Sequence, residues 1–76
     1  MIKLSPQEFR LLECLMRNKN TVVSRDMILD HIWVNSADVE TRVVDVYIGY
    51  LRQKIDRNHK NKLIHSVRGF GYSLKA

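Results

Sequence analysis

The chain has 76 residues, of which 45% are hydrophobic and 28% are charged, and its formal net charge is +5. This length allows one domain over residues 1–76, and this composition is typical of folded chains rather than disordered ones. One cysteine excludes an internal disulfide and is typical of proteins in the reducing cytoplasm. The sequence shows neither a signal peptide nor an apolar run near the ~18 residues of a membrane span, which argues against a membrane partner.

The first predicted element is a helix that begins after Ser5. Ser5 can cap it, Pro6 suits its first position, and Glu8 stands where a capping box needs its carboxylate. The pattern predicts a helix to about Asn18, with one apolar stripe formed by Phe9, Leu12 and Met16, with Leu11 and Leu15 alongside. Only residues 2–4 precede this start signal, so we expect a fragment of a longer protein.

A short strand and a second helix follow. Residues 18–20 break the first helix, and residues 21–23 are a β-prone run that could pair at the edge of a small sheet. Ser24 can cap a two-turn helix over residues 25–33, which is apolar on more than half its circumference. Such a short helix is stable only when it is packed, and we expect Trp33 to lie mostly in the core.

A third helix starts near Asp38 or Thr41, either of which could cap it, and runs to about residue 55. Apolar residues spaced by four, three and four positions must face the core: Val44, Ile48, Leu51 and Ile55. The opposite side is too apolar to face only solvent, and it carries Val43, Val46, Tyr47, Tyr50 and Lys54. This side is expected to meet a partner.

The chain ends with a predicted β-hairpin. Residues 56–62 form a charged loop, and residues 63–67 and 72–74 read as two strands around a turn with Gly69 and Gly71. Three helices followed by a hairpin are the layout of a winged helix-turn-helix, an α+β fold.

Charge is distributed unevenly along the chain. Residues 1–41 carry five basic and six acidic side chains, whereas residues 42–76 carry eight basic and two acidic ones. A one-sided excess of positive charge attracts phosphate, so the second half is expected to bind nucleic acid.

The layout predicts how duplex DNA would be bound. The helix over about residues 41–55 would enter the major groove, where Val43 and Val46 can contact thymine methyls and Tyr47 and Tyr50 can hydrogen-bond or stack. Flanking cations would hold phosphates: Arg42, Arg52, Lys54 and Arg57. Arg68, at the tip of the hairpin (residues 63–75), could enter the adjacent minor groove.

Other functions remain open or are disfavoured by the residues. In a plainer alternative, the basic residues form a solvated face and the tyrosines cover core side chains. In another, a protein-interaction winged helix uses Val46, Tyr47 and Tyr50 without reading DNA. Catalysis, metals and cofactors are not expected, because the chain has no glycine-rich phosphate loop and no paired metal-ligand spacing among Cys14, His31, His59 and His65.

Four motifs together resemble one known family. They are Leu4-Ser5-Pro6-Gln7-Glu8-Phe9 with Leu11-Leu12, Ser24-Arg25 before Ile32-Trp33, Arg42-Val43-Val44-Asp45-Val46-Tyr47-Ile48 with Leu51-Arg52, and Val67-Arg68-Gly69-Phe70-Gly71-Tyr72. Over nearly the whole chain, the sequence resembles the C-terminal effector domain of OmpR/PhoB-type response regulators of bacterial two-component systems.

This resemblance implies a transcription factor whose receiver domain, outside this chain, is phosphorylated by a sensor histidine kinase and drives homodimerisation on direct repeats. It also implies an N-terminal four-stranded sheet, here truncated to residues 2–4, and contact with RNA polymerase through the loop 34–40, although a simple connector is an equal alternative for that loop. Carried over by position, the implied DNA contacts fall into three sets: Arg42, Tyr47 and Arg52 on the backbone, Val43, Val46 and Tyr50 on bases, and Ser66 and Arg68 in the wing.

The sequence departs from the family at the centre of the third helix. Gly49 and Tyr50 stand where many relatives carry arginines, and Val43 stands where threonine is common. The preferred DNA sequence therefore cannot be copied from relatives.

Overall fold

A computed structural model describes residues 3–33, 39–57 and 60–75. The elements in these residues, in chain order, are α1 (Pro6–Arg17), β1 (Val23–Ser24), α2 (Arg25–Ile32), α3 (Arg42–Ile55), β2 (Ile64–Val67) and β3 (Gly71–Leu74). The strands form an antiparallel sheet in the order β1-β3-β2. The predicted winged helix-turn-helix with a C-terminal hairpin is confirmed.

The start of α1 is the predicted capping box. The backbone N–H of Glu8 donates to Ser5 Oγ at 3.2 Å, and the backbone N–H of Ser5 donates to Glu8 Oε1 at 2.8 Å. These two bonds satisfy donors that a helix start otherwise leaves unpaired. The helix ends at Arg17, one residue before the predicted boundary.

The predicted apolar stripe of α1 is wrong in its orientation. The buried side of the helix carries Leu11, Cys14 and Leu15, whereas Phe9 is 57% and Met16 59% exposed. Both sides of α1 are apolar, and residues one position apart lie about 100° apart around a helix, so periodicity alone could not tell which side meets α2 and α3.

The helix-turn-helix is anchored by caps and a small core. Ser24 Oγ accepts from the N–H of Met27 at 3.1 Å at the start of α2. Thr41 precedes α3 without a side-chain capping bond, and Asp38 lies outside the described residues. The core is shared by all six elements: Leu11, Cys14, Leu15, Val23, Ile28, Leu29, Ile32, Val44, Ile48, Leu51, Ile64, Tyr72 and Leu74.

The sheet fastens the hairpin to the start of α2. Ser24 pairs with Gly71, and Gly71 also pairs with Val67 across the hairpin. The predicted edge strand at residues 21–23 is therefore present, shifted to Val23–Ser24. No strand is found at Lys3 or Leu4, and Ile2 lies outside the described residues. Within the described ranges, no helix is long and apolar enough to cross a membrane.

Candidate nucleic-acid interface

The two sides of α3 have opposite environments. Val44, Ile48 and Leu51 are at most 1% exposed and pack against the core. On the outward side, Val46 is 49% and Tyr50 50% exposed. The predicted base-facing residue Val43 and the aromatic Tyr47 are half-buried on the same side. The fold thus brings together four of the five residues that the sequence placed on this outward side, all except Lys54, which pairs with Glu8.

Three aromatic rings form a row that ends at Tyr50. The rings of Trp33 and Tyr47 meet edge-on with centroids 5.4 Å apart, and those of Tyr47 and Tyr50 meet in the same way at 5.6 Å. Trp33 and Tyr47 also pack against the buried core. Edge-to-face pairs at such distances are favourable beyond the area they bury, so Tyr50 is supported at one side of its ring.

Arg52 joins α3 to the wing. Its Nη2 donates to Ser66 Oγ at 2.7 Å and to the backbone oxygen of Ile64 at 3.3 Å. Arg52 and Ser66 were both predicted to contact DNA, and the structure shows that they contact each other. The two residues therefore set the position of strand β2 relative to α3.

Asp45 is the centre of a second cluster, which sequence reasoning did not identify as part of the site. Arg25 Nε donates to Asp45 Oδ1 at 2.9 Å, and the hydroxyl of Tyr72 donates to the same oxygen. Burial and the bond to Asp45 raise the pKa of Tyr72, so its phenol remains a donor at neutral pH. The guanidinium groups of Arg25 and Arg52 lie 5.3 and 5.7 Å from the centroid of the Tyr72 ring.

These contacts connect three elements at one point. Arg25 begins α2, Asp45 lies in the first turn of α3, and Tyr72 belongs to β3. A signal in the sequence could have pointed to the cluster, because Asp45 is the one acidic residue in α3. The cluster fixes the start of the outward-facing helix against the wing.

Two more of the predicted cations, Arg42 and Arg68, are exposed. Arg42, at the start of α3, is 81% exposed in its side chain and pairs with Glu40 Oε2 at 2.5 Å. Arg68 is exposed in the turn between β2 and β3. An exposed ion pair such as Arg42–Glu40 is weak, so Arg42 can exchange its partner for a phosphate. Most of the loop 34–40 lies outside the described residues.

Comparisons with known proteins agree with this geometry. Residues 1–74 match the family described as "Transcriptional regulatory protein, C terminal". The response regulator ArlR of Staphylococcus aureus is 47% identical over 74 residues, which are 97% of this chain and 34% of ArlR. The chain belongs to this family. It is a winged-helix effector domain of the OmpR/PhoB class, whose members are DNA-binding domains in transcription regulation.

Solved structures show the same fold. The response regulator DrrB of Thermotoga maritima, an OmpR/PhoB homologue, superposes with a TM-score of 0.85 at 32% identity, over 99% of this chain and 34% of DrrB. The DNA-binding domain of Klebsiella pneumoniae RstA, solved in complex with the RstA box, superposes with a TM-score of 0.81 at 31% identity, over 97% and 74% of the two chains. This effector domain spans about a third of the length of the curated relatives it matches.

Two of the side chains considered for catalysis or metal binding, Cys14 and His31, are packed against or bonded to other residues of the effector domain. Cys14 is buried in the core, and burial raises the pKa of its thiol, which disfavours the reactive thiolate. His31 Nε2 lies 3.0 Å from Glu13 Oε1 and links α2 to α1. In the part of the chain that the structure describes, no three His, Cys, Asp or Glu residues are grouped to hold a metal ion.

Lys54 ties α3 of the effector domain to the start of α1. Its Nζ donates to Glu8 Oε1 at 2.7 Å, and the Glu8 side chain is only 5% exposed. Burial raises the pKa of Glu8, but hydrogen bonds with Lys54 and Ser5 outweigh burial, so the net pKa lies below its ordinary value of 4.5. Lys54 was predicted to hold a phosphate, whereas here its ammonium group compensates a buried carboxylate.

We expect Glu8→Gln to destabilise the domain by about 1–2 kcal/mol at pH 7, because it removes a buried charge from an ion pair whose lysine is partly exposed. Gln can still accept the capping bond. Since the folded pKa of Glu8 is depressed, its contribution is present above pH 4.5 and is lost as the pH falls through the lower folded value. Urea denaturation at pH 7 and at a pH below the folded pKa of Glu8 measures both limits.

The matched control is Glu40→Gln, which makes the same chemical change at a carboxylate that is 67% exposed in its ion pair with Arg42. We expect it to change stability by less than about 0.5 kcal/mol at either pH. Equal effects of the two substitutions at pH 7 would show that the Glu8–Lys54 pair contributes nothing beyond an exposed one.

Proposed function

We propose that this effector domain reads specific sequences in duplex DNA by placing α3 in the major groove and the wing at the adjacent minor groove. The main support is the outward side of α3, where Val46 and Tyr50 are half exposed on a helix whose other side is core. A major groove admits one α-helix, and its base edges are then within reach of such side chains. The solved complex of the similar RstA domain with the RstA box supports DNA binding by this domain.

The proposed DNA contacts form two groups, those that recognise bases and those that position the domain on the duplex. Val43, Val46 and Tyr50 would face bases, while Tyr47 and Arg42 would lie along the backbone. Arg68, exposed in the wing turn, would enter the minor groove, whose narrow A·T-rich stretches attract arginine. For Arg52, Ser66 and Lys54, their intramolecular bonds support a role in positioning α3 and the wing, with phosphate contacts secondary.

For the whole protein, we propose a cytoplasmic response regulator. A receiver domain outside this chain would take a phosphoryl group from a sensor histidine kinase and promote homodimers on direct-repeat sites. The loop 34–40 would contact RNA polymerase. This part of the proposal rests on the similarity to ArlR and DrrB, of which the chain covers about a third.

The proposal is tested by selecting bound sequences from a pool of random duplexes at 50 and 200 mM salt. We expect a short enriched motif and, if ~4 phosphates are neutralised, a slope of log affinity against log salt of about −3.6. Salt-dependent binding without a motif would contradict sequence reading. No binding at either salt concentration would instead favour a protein-interaction domain.

Two substitutions separate the roles of α3 and the wing. We expect Arg68→Ala and Tyr50→Ala each to weaken binding to the selected site, by about threefold to thirtyfold. Only Tyr50→Ala should also change the preferred bases, since Arg68 acts through the shape and charge of the minor groove. Competition between selected and random duplexes measures this difference. Equal losses on both duplexes for both variants would exclude base reading by Tyr50.

A further inference from the structure

The outward side of α3 lacks a cation at its centre. The basic residues of this helix, all of which the structure describes, are Arg42 at its start and Arg52 and Lys54 in its last turns. Arg52 is bonded to Ser66 and Lys54 to Glu8. Gly49, beside Tyr50 in the sequence, carries no side chain and has open space where a Cβ would stand. The exposed centre of the helix therefore consists of Val46 and Tyr50.

This composition restricts which base edges can be recognised. The commonest specific contact to guanine is a bidentate arginine or lysine on its O6 and N7 atoms, and no such group stands at the centre of this surface. The one apolar group that a base presents in the major groove of unmodified DNA is the 5-methyl group of thymine. Val46 and the ring of Tyr50 offer apolar surface to such a methyl group.

The position of Tyr50 supports this role. Its ring meets Tyr47 edge-on at 5.6 Å, and Tyr47 is in turn held by Trp33 against the core. A side chain supported in this way loses less rotamer freedom on binding, so a small contact such as one methyl group contributes more of its energy to discrimination.

We infer that this domain recognises 5-methyl groups of pyrimidines in the major groove, through Tyr50 and Val46, and that thymine methyls define the centre of its half-site. The inference rests on the proposed function. It assigns the central specificity to methyl contacts rather than to a guanine-binding cation. Because 5-methylcytosine carries the same group at the same position, the chemistry predicts that it can replace thymine as the source of the methyl.

The experiment uses the selected motif and replaces each thymine in turn with deoxyuridine, which removes the methyl and keeps the O4 acceptor. We expect at least one position at which affinity falls about threefold to tenfold, since one methyl-sized group is buried there. When the T·A pair at that position is replaced with a C·G pair, the duplex that contains 5-methylcytosine should bind more tightly than the duplex that contains cytosine. Without this second gain, the contact would require thymine itself, and the extension to 5-methylcytosine would be wrong.

Substitutions in the protein test whether Tyr50 and Val46 cause the loss of affinity on deoxyuridine. With Tyr50→Ala or Val46→Ala, the penalty for deoxyuridine at the sensitive position should shrink to less than twofold, whereas Tyr50→Phe should keep it because the ring is unchanged. Arg68→Ala should weaken binding to thymine and deoxyuridine duplexes by the same factor. Loss of the penalty in Tyr50→Phe would assign the specificity to the hydroxyl and overturn the methyl contact.

The failures of the two proposals can be told apart. A selected motif in which deoxyuridine is tolerated within twofold at every thymine would overturn methyl recognition and leave sequence-specific binding intact. A pool without any enriched motif would overturn the proposed function, and methyl recognition with it.

Discussion

Gly71→Ala is expected to destabilise the domain by more than about 3 kcal/mol. A Cβ at this position would lie 2.0 Å from the backbone oxygen of Val23 and 2.9 Å from its carbonyl carbon, and the φ angle of +153° is one that L side chains rarely adopt. Neither backbone atom can move without breaking the pairing of β1 with β3, which joins Ser24 to Gly71. For a domain of this size, the midpoint of thermal unfolding should fall by more than about 12 °C.

Gly69→Ala is the matched control in the same hairpin. Gly69 has a φ angle of +82°, but nothing lies within 4 Å of a Cβ built there. The cost should therefore be only the strain of a left-handed residue, about 1–2 kcal/mol. Thermal denaturation followed by circular dichroism compares the two variants. Equal stability would mean that β1 does not lie against β3 as the structure shows.

The substitution Gly71→Ala should also weaken DNA binding. Strand β1 ends at Ser24, which caps α2, and the next residue, Arg25, bonds Asp45 in α3. A shift of β1 away from β3 would move this cap and loosen the contact between α2 and α3. Any folded fraction of Gly71→Ala should consequently bind the selected duplex more weakly than Gly69→Ala does.

Much of the fold could be predicted because its signals are local. Ser5 and Ser24 are capping residues, and the observed starts of α1 and α2 follow them directly. The face of α1 could not be predicted in the same way, since Phe9 and Met16 are as apolar as the residues that are buried. The burial of Glu8 was also invisible in the sequence, because a glutamate is rarely buried unless it is paired and its partner is distant.

The site shows the same division between local and distant information. The exposure of Val46 and Tyr50 follows from the helical period once Val44 and Ile48 are assigned to the core. The partners of the cations do not follow from the helical period, because Arg52 bonds a residue 14 positions away and Lys54 bonds one 46 positions away. A pattern of positive charge predicts that a surface attracts phosphate, but it cannot show which cations already have a carboxylate or a hydroxyl as partner.

Val46→Glu is expected to weaken binding to the selected duplex by about 100-fold, which corresponds to about 2.7 kcal/mol. Val46 is 49% exposed at the centre of the outward side of α3. A carboxylate there would enter a groove bordered by phosphates and would also replace an apolar contact. Folding should be preserved, since glutamate has a better helix propensity than valine and the side chain can reach solvent.

Met16→Glu is the control, because it makes the same change in charge at a residue of α1 that is 59% exposed and lies outside α3. Titration of labelled duplex with both variants at one salt concentration gives the comparison, and Met16→Glu should bind within about threefold of the parent, since net charge alone acts weakly at a distance. Equal losses in the two variants would show that binding follows net charge and not a docked helix. Full affinity in both would place the DNA on another surface and leave Val46 and Tyr50 free for a protein partner.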